Sequence, residues 1–204
     1  MSFFGKENKA DDQPVQEERT WQQNLVLDLK DLFYVLAVFM LIYILLFRVV
    51  VVVGGSMYDT LHNGDRLLLL SNTVYTEPKQ GDIIVASKKS FANGECIVKR
   101  VIATEGQTVE IDFLTGEVKV DGVVLEEDYI YTPTTANDQP RYFKQTVGEG
   151  QVFVMGDNRG NSLDSRSSVI GLIDEREILG KAIFLISPAN DGTGNAKDRF
   201  GVID

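Results

Sequence analysis

Apolar residues are spread unevenly along the chain, and their spacing changes character twice. Residues Leu32 to Phe47 carry no charge, Arg48 interrupts, and Val49 to Val53 are five consecutive valines. A helix crossing the hydrocarbon core of a bilayer takes about 20 predominantly apolar residues at about 1.5 Å rise each. The uncharged run is shorter than that, so the pattern predicts a transmembrane helix over residues 28–48, with Arg48 extended toward the lipid headgroups. The valines favour a strand, because branching at Cβ restricts χ1 in a helix and packs well on a pleated surface. A cleaved signal peptide is the competing reading. No A-x-A-like site follows the apolar core, and the stretch is long for a leader, so the sequence predicts a permanent anchor.

Beyond Ser56 the pattern is that of β structure. Leu67 to Leu70 form a short apolar run after the turn Asn63-Gly64, and Gly81-Asp82 opens Ile83 to Ala86. Asn93-Gly94 precedes a strand over Cys96 to Ala103. Thr108 to Phe113 and Glu117 to Val120 alternate in polarity around Leu114-Thr115-Gly116, as a hairpin does, and Asp121-Gly122 marks a further turn. Thr132 to Arg141, with Pro133 and Pro140, predicts an exposed loop. Gln151 to Met155 is an apolar strand, Glu175 to Leu179 a single helical turn and Lys181 to Ile186 a last strand. The Gly- and Asp-rich stretch Ala189 to Asp204 predicts a loose tail. The fold class expected is an all-β body of many short strands, barrel-like, behind one N-terminal transmembrane helix.

Composition narrows the function. With about fifty of the 204 residues assigned to tail and anchor, roughly 150 remain, one ordinary domain. A hydrophobic content of 44% is that of a folded protein. A net charge of −10 argues against nucleic acid as a partner. One cysteine, Cys96, excludes an internal disulfide, and one cysteine with one histidine disfavours a zinc site. No Gly-rich phosphate loop is present, so no cofactor is expected. The charge-mixed tail, residues 1–27, predicts disorder. Arg19 and Lys30 precede the helix while Arg48 and Arg66 follow it, a balance that leaves membrane orientation open.

Three stretches carry candidate chemistry. Ser56 follows Gly54-Gly55, which permit a tight turn and close approach of another chain. A serine hydroxyl needs a base to become a nucleophile. The one histidine, His62, beside a turn, reads as a solvated loop residue, which leaves lysine as the candidate base. In the strand Cys96 to Ala103, alternation puts Lys99 on one face with Ile97 and Val101, and Arg100 on the other with Val98 and Ile102. If the Lys99 face is buried, desolvation lowers its pKa, and reaching ~7.5 takes about 4 kcal/mol. If the strand is exposed, both basic residues simply snorkel into solvent. The third stretch, Gly156 to Arg166, holds acids, amides, two arginines and two serines. It reads either as an Asx-rich surface loop or as a self-bridged network in which Asp164 and Arg166 pair.

Taken in order, Ser56-Met57, Gly81-Asp82, Lys99-Arg100 and Gly156-Asp157-Asn158-Arg159…Ser162…Asp164-Ser165-Arg166 resemble bacterial type I signal peptidases. These are membrane-anchored serine proteases that remove signal peptides from exported proteins. The resemblance covers about Leu32 to Pro188, and the third stretch is its most specific part. It implies a Ser–Lys dyad of Ser56 as nucleophile and Lys99 as general base, with no cofactor. Ser162 matches the serine that hydrogen-bonds and orients the lysine, Asp164 and Arg166 the supporting ion pair, and Gly156 the close-packed residue beneath the lysine. The Ser56 N–H would contribute to the oxyanion hole. Gram-negative members place a hydroxyl where this chain has Gly54, so here the hole relies on backbone donors. Where the family has proline this chain has Asp59, which neither fixes φ nor removes a donor, though its carboxylate can cap the local turn.

The resemblance also implies a cytoplasmic N-terminus and a catalytic body outside the cell membrane, resting on its outer surface. Partners would then be exported preproteins and membrane lipid. The substrate pocket falls on Val52, Met57, Ile97 and Val98, all apolar, and should take small side chains such as Ala. The substrate would add as a strand beside Val50 to Val53 or Ile97 to Lys99. On this alignment residues 49–105 and 142–188 form the catalytic core, 106–141 an inserted second β region and 189–204 the tail. Two other readings compete: a self-cleaving Ser–Lys protease like the bacterial SOS repressors, and a catalytically inactive, membrane-tethered β-domain that acts as a binding module.

Overall fold

The computed structural model describes residues 20–88, 95–135, 140–189 and 199–203. Most of the polar N-terminal tail, the Asn93-Gly94 turn, part of the 132–141 loop and most of the C-terminal tail lie outside the described residues. The chain divides into two compact units, residues 1–42 and 43–204.

Helix α1 runs Trp21–Leu46, and within it Asn24–Leu46, 23 residues, is long and apolar enough to cross a membrane. It starts earlier than the expected residue 28, because Leu25, Val26 and Leu29 continue the apolar sequence and nothing from Trp21 to Lys30 breaks a helix. It also stops short of Arg48. Phe47 and Arg48 already belong to a strand, in which Arg48 stands opposite Leu69 and its guanidinium donates to Asn72 Oδ1 at 3.4 Å. Pairing of the valine run with a neighbouring strand, rather than the end of hydrophobicity, sets the boundary.

Twelve strands follow among the described residues. They are β1 (Phe47–Val51), β2 (Arg66–Ser71), β3 (Ile83–Ser87), β4 (Cys96–Ala103), β5 (Thr108–Asp112) and β6 (Glu117–Val120). The rest are β7 (Val123–Val124), β8 (Tyr142–Thr146), β9 (Gln151–Met155), β10 (Ile173–Asp174), β11 (Ile178–Ser187) and β12 (Gly201–Val202). They form two antiparallel sheets. The larger has the order β1-β2-β11-β3-β4-β9-β10, with β12 on β11, and the smaller has β7-β6-β5-β8. Of the predicted helical turn at 175–179, only Glu175–Glu177 is helical, capped by Asp174; Ile178 opens β11.

The smaller sheet extends past the expected boundary at residue 141. Tyr142–Thr146 pairs with the whole of β5, from Asp112↔Tyr142 to Thr108↔Thr146. Phe143 is the reason: its ring packs against Phe113 and Phe153, so this strand belongs to the small sheet's core. That core is shared. Val109, Ile111, Val118 and Val120 pack against Ile102, Phe153 and Met155 of β4 and β9. In a second cluster on the larger sheet, Val52, Met57 and Leu61 pack with Leu67, Leu69 and Val85. This second cluster anchors the turn that carries Ser56.

Candidate active site

The turn after β1 is tied to itself at both ends. Val52 N–H donates to Asp65 O, and Gly64 N–H donates to Val52 O, each at 2.8 Å. Gly54 takes a φ of 91°, which its lack of Cβ permits, and donates its amide to Asn63 Oδ1 at 2.9 Å. Met57 and Leu61, both fully buried, pin the following residues, and Leu61 N–H donates to Met57 O. Ser56 is thereby held at the surface of a fixed loop. The Tyr58–Asp59 peptide is cis.

Lys99 approaches from β4, where it stands opposite Ile84. Its Nζ lies 2.7 Å from Ser56 Oγ and also donates to Val98 O at 3.0 Å. Lys99 is 5% exposed. Burial pushes its pKa down to about 8; the charges of Asp164 and Asp157 pull the other way, while Arg166 adds to the lowering. Among the described residues no carboxylate lies within ion-pair distance of this amine. Both faces of β4 are covered at this point, so the alternative of two snorkelling cations does not hold.

The loop after β9 supports the pair from beneath. Asn158 N–H donates to Ser56 O at 3.0 Å and its side-chain amide donates to Gly55 O at 3.1 Å. A Cβ on Gly156 would collide with the Ser56 carbonyl oxygen and with Ser162 Oγ, so only glycine fits. Gly156 N–H donates to Asp164 Oδ2 at 3.0 Å, and Asp164 receives Arg166 Nε and Nη2 at 2.8 and 2.9 Å. The same guanidinium caps Arg159 O at 2.8 Å. Asp164 and Arg166 therefore pair, and the loop is a network rather than an open Asx turn. Ser162 Oγ is buried and makes no hydrogen bond among the described residues. The bond to Lys99 that the resemblance implies is not formed, and the hydroxyl packs against Gly156 instead.

Arg100 occupies the opposite face of β4. It grips Asp157 through Nε and Nη2 at 3.0 and 2.8 Å and donates Nη1 to Gly81 O at 2.9 Å. Thr60 Oγ1 donates to the same Asp157 at 2.6 Å. The Gly81-Asp82 block thus meets the other motifs through its carbonyl. Asp82 itself accepts from Lys181 Nζ and Tyr75 OH at 2.6 and 2.7 Å; burial raises its pKa, but these bonds outweigh that and leave it lowered.

His62 is not the solvated loop residue the sequence predicts. It is 7% exposed, its ring stacks on Tyr58 with centroids 4.6 Å apart, and Nε2 faces the Asp59 carbonyl at 3.2 Å. Asp59 thus meets this histidine, with Oδ1 3.4 Å from Nε2.

A cleft of about 700 Å³ opens beside Ser56 and Lys99, lined by Val50 to Val53 and by Cys96 to Val98. Val52, Met57, Ile97 and Val98 all line it, together with Asn161 and Leu163, which the sequence did not single out. Asn158 was also missed as a support of Ser56, since its role depends on a contact 102 positions away in the chain. Among the described residues no three His, Cys, Asp or Glu side chains gather as a metal site.

Residues 26–187 match the family described as signal peptidase, peptidase S26. The probable signal peptidase I-1 of Synechocystis sp. is 41% identical over 146 residues, 67% of this chain and 69% of that protein. Signal peptidase I of Bacillus amyloliquefaciens is 35% identical over 173 residues, 79% of this chain and 85% of that one. A solved signal peptidase I from Enterococcus faecalis V583 is 31% identical, with a TM-score of 0.42 over 52% of this chain and 96% of that chain. On the breadth of the family match and the identity to these relatives, the chain belongs to the signal peptidases of the peptidase S26 family.

Proposed function

We propose that this peptidase is membrane-anchored and cleaves signal peptides from exported preproteins after small residues, with Ser56 as nucleophile and Lys99 as general base. The observation that carries the reading is the 2.7 Å contact between Ser56 Oγ and a buried amine without a carboxylate partner. The neutral amine of Lys99 accepts the Ser56 proton as Oγ attacks the scissile carbonyl carbon. The oxyanion that forms accepts a hydrogen bond from Ser56 N–H; Gly54 N–H is already engaged by Asn63. Lys99 then returns the proton to the leaving nitrogen, the C–N bond breaks, and the signal peptide remains as an ester on Ser56. A water, deprotonated by Lys99, hydrolyses that ester and restores the hydroxyl.

Each supporting residue has a part in this scheme. Gly156 allows the loop to lie against Ser56, the Asp164–Arg166 pair fixes that loop, and Ser162 orients Lys99 when substrate fills the cleft. Val52, Met57, Ile97 and Val98 accept small apolar side chains, and the substrate backbone adds as a strand beside Val50 to Val53 or Ile97 to Lys99. Residues 24–46 span the cell membrane, with the N-terminus cytoplasmic and the catalytic body outside. A preprotein tethered in the same bilayer is then held near Ser56, which raises its effective concentration.

The test is cleavage of a preprotein with one A-x-A site by the detergent-solubilised full chain. The expected product begins at the residue after the second alanine, and Ser56→Ala yields none. A preprotein left intact by the wild-type chain would favour the inactive, membrane-tethered binding module.

A further inference from the structure

Between β7 and β8 the chain leaves the small sheet and lies along the loop that supports Ser56. Tyr131 N–H donates to Asp157 O at 3.0 Å, and Thr132 forms a parallel bridge with Asn158. The Thr132 hydroxyl accepts from Gly160 N–H at 2.8 Å and donates to Asn158 Oδ1 at 3.3 Å. Arg159 joins the two segments most closely. Its Nη1 and Nη2 reach the two carboxylate oxygens of Glu127 at 3.0 and 2.6 Å, Nη1 also donates to Thr134 Oγ1 at 2.7 Å, and Nε donates to Gly156 O at 3.0 Å. The Arg159 side chain is 0% exposed and that of Glu127 7%. Tyr129 OH donates to Glu127 Oε1 at 3.1 Å.

A pair buried this deeply is a poor source of stability, because desolvating both charges offsets their attraction. What a two-pronged guanidinium–carboxylate contact does supply is fixed geometry. Here the position it fixes is that of Gly156 to Gly160. Gly156 packs on the Ser56 carbonyl and on Ser162, and Asn158 binds the carbonyls of Gly55 and Ser56. A shift of Arg159 therefore passes through one residue to the backbone of the nucleophile.

We infer that residues 127–134 form a strap by which the second β region holds the catalytic loop in place, with Glu127 and Arg159 as a positioning pair for Ser56. The inference gives that region a part in catalysis without contact with substrate, and it rests on Ser56 and Lys99 being the reacting pair. Glu127 is invisible to motif reading, since it lies outside every block the family resemblance uses.

Steady-state cleavage of a preprotein by the full chain tests it, with the folded fraction of each variant measured by circular dichroism. Glu127→Gln, which removes the charge and keeps the shape, lowers kcat per folded molecule about tenfold, the scale of a small misplacement at a reacting centre, with KM within about twofold. Arg159→Lys does the same, and the double variant is no slower than the slower single, as expected of two residues acting through one contact. Lys119→Ala, in an exposed pair with Glu117 on the same small sheet, leaves kcat unchanged. If Glu127→Gln folds poorly, Thr132→Val reads the same strap and lowers kcat about threefold, again at constant KM. A wild-type kcat in these variants, or a loss that only follows the folded fraction, overturns the strap. Cleavage by Ser56→Ala would instead overturn the dyad, whatever Glu127 does.

Discussion

Lys99 and Arg100 are neighbours on β4 with side chains on opposite faces of the strand, and both are buried. On the Arg100 face the charge is answered at once: Asp157 receives it through two bonds, Gly81 O through a third, and the Tyr129 ring lies 4.1 Å from the guanidinium carbon. On the Lys99 face the amine meets a serine hydroxyl and a peptide carbonyl. The contrast follows from the two groups. A guanidinium does not give up its proton in a protein, so burying it demands a counter-charge. An ammonium can lose its proton, and burial without a counter-charge makes it do so near neutral pH. One strand thus uses the same loss of water to fix geometry on one side and to lower the pKa of an amine on the other.

That contrast can be broken from either side. The largest effect is expected at Lys99. Lys99→Met keeps the length and apolar character of the side chain, so the fold remains, while preprotein cleavage falls on the order of a thousandfold or more because the base is gone. Cleavage assays on purified, folded variant check this. Removing the counter-charge on the other face acts on stability instead. Asp157→Ala removes the carboxylate that receives two of the buried Arg100 bonds and costs about 3–5 kcal/mol, read by denaturant unfolding; replacing both residues with apolar ones recovers much of that loss.

A smaller effect concerns pH. Lys99 titrates at about 8 when folded, against the usual 10.5. Between those values the unfolded chain holds more protons, so stability rises with pH across this window, by about 3 kcal/mol in all; below pH 8 the cost of protonating the buried amine is fully present and constant. The difference between wild-type and Lys99→Met unfolding curves isolates this slope, since other groups titrate alike in both. The smallest effect is at the start of the same strand. Cys96 is exposed at the rim of the cleft, and Cys96→Ala should change stability by less than about 0.5 kcal/mol and leave most cleavage activity, as the same assays read.

The strands that read clearly in the sequence are those whose pattern is local. Cys96–Ala103 and Gln151–Met155 have the limits their apolar runs predict, and the hairpin of β5 and β6 follows from alternation around Gly116. Where a distant partner decides, the sequence was less informative. The end of α1 is set by pairing of Phe47 and Arg48 with Leu70 and Leu69, and β8 is set by Phe143 meeting Phe153. The candidate site divides in the same way. Motif order brought Ser56, Lys99, Gly156, Asp164 and Arg166 into view. Burial of Lys99 did not follow from alternation, because β4 is covered on both faces; that depends on two sheets and a loop closing over it. Glu127 carries no local signature at all, and Asn158, though it lies within the third motif stretch, shows its part only through its contacts with Gly55 and Ser56.

If a desolvated lysine is the base, the pH dependence of kcat/KM for preprotein cleavage must show its titration, because that profile reports the free enzyme. The expected rate rises with pH through a limb near 8, where Lys99 loses its proton. A rate already at its plateau by pH 7, with its limb near 6, would contradict it.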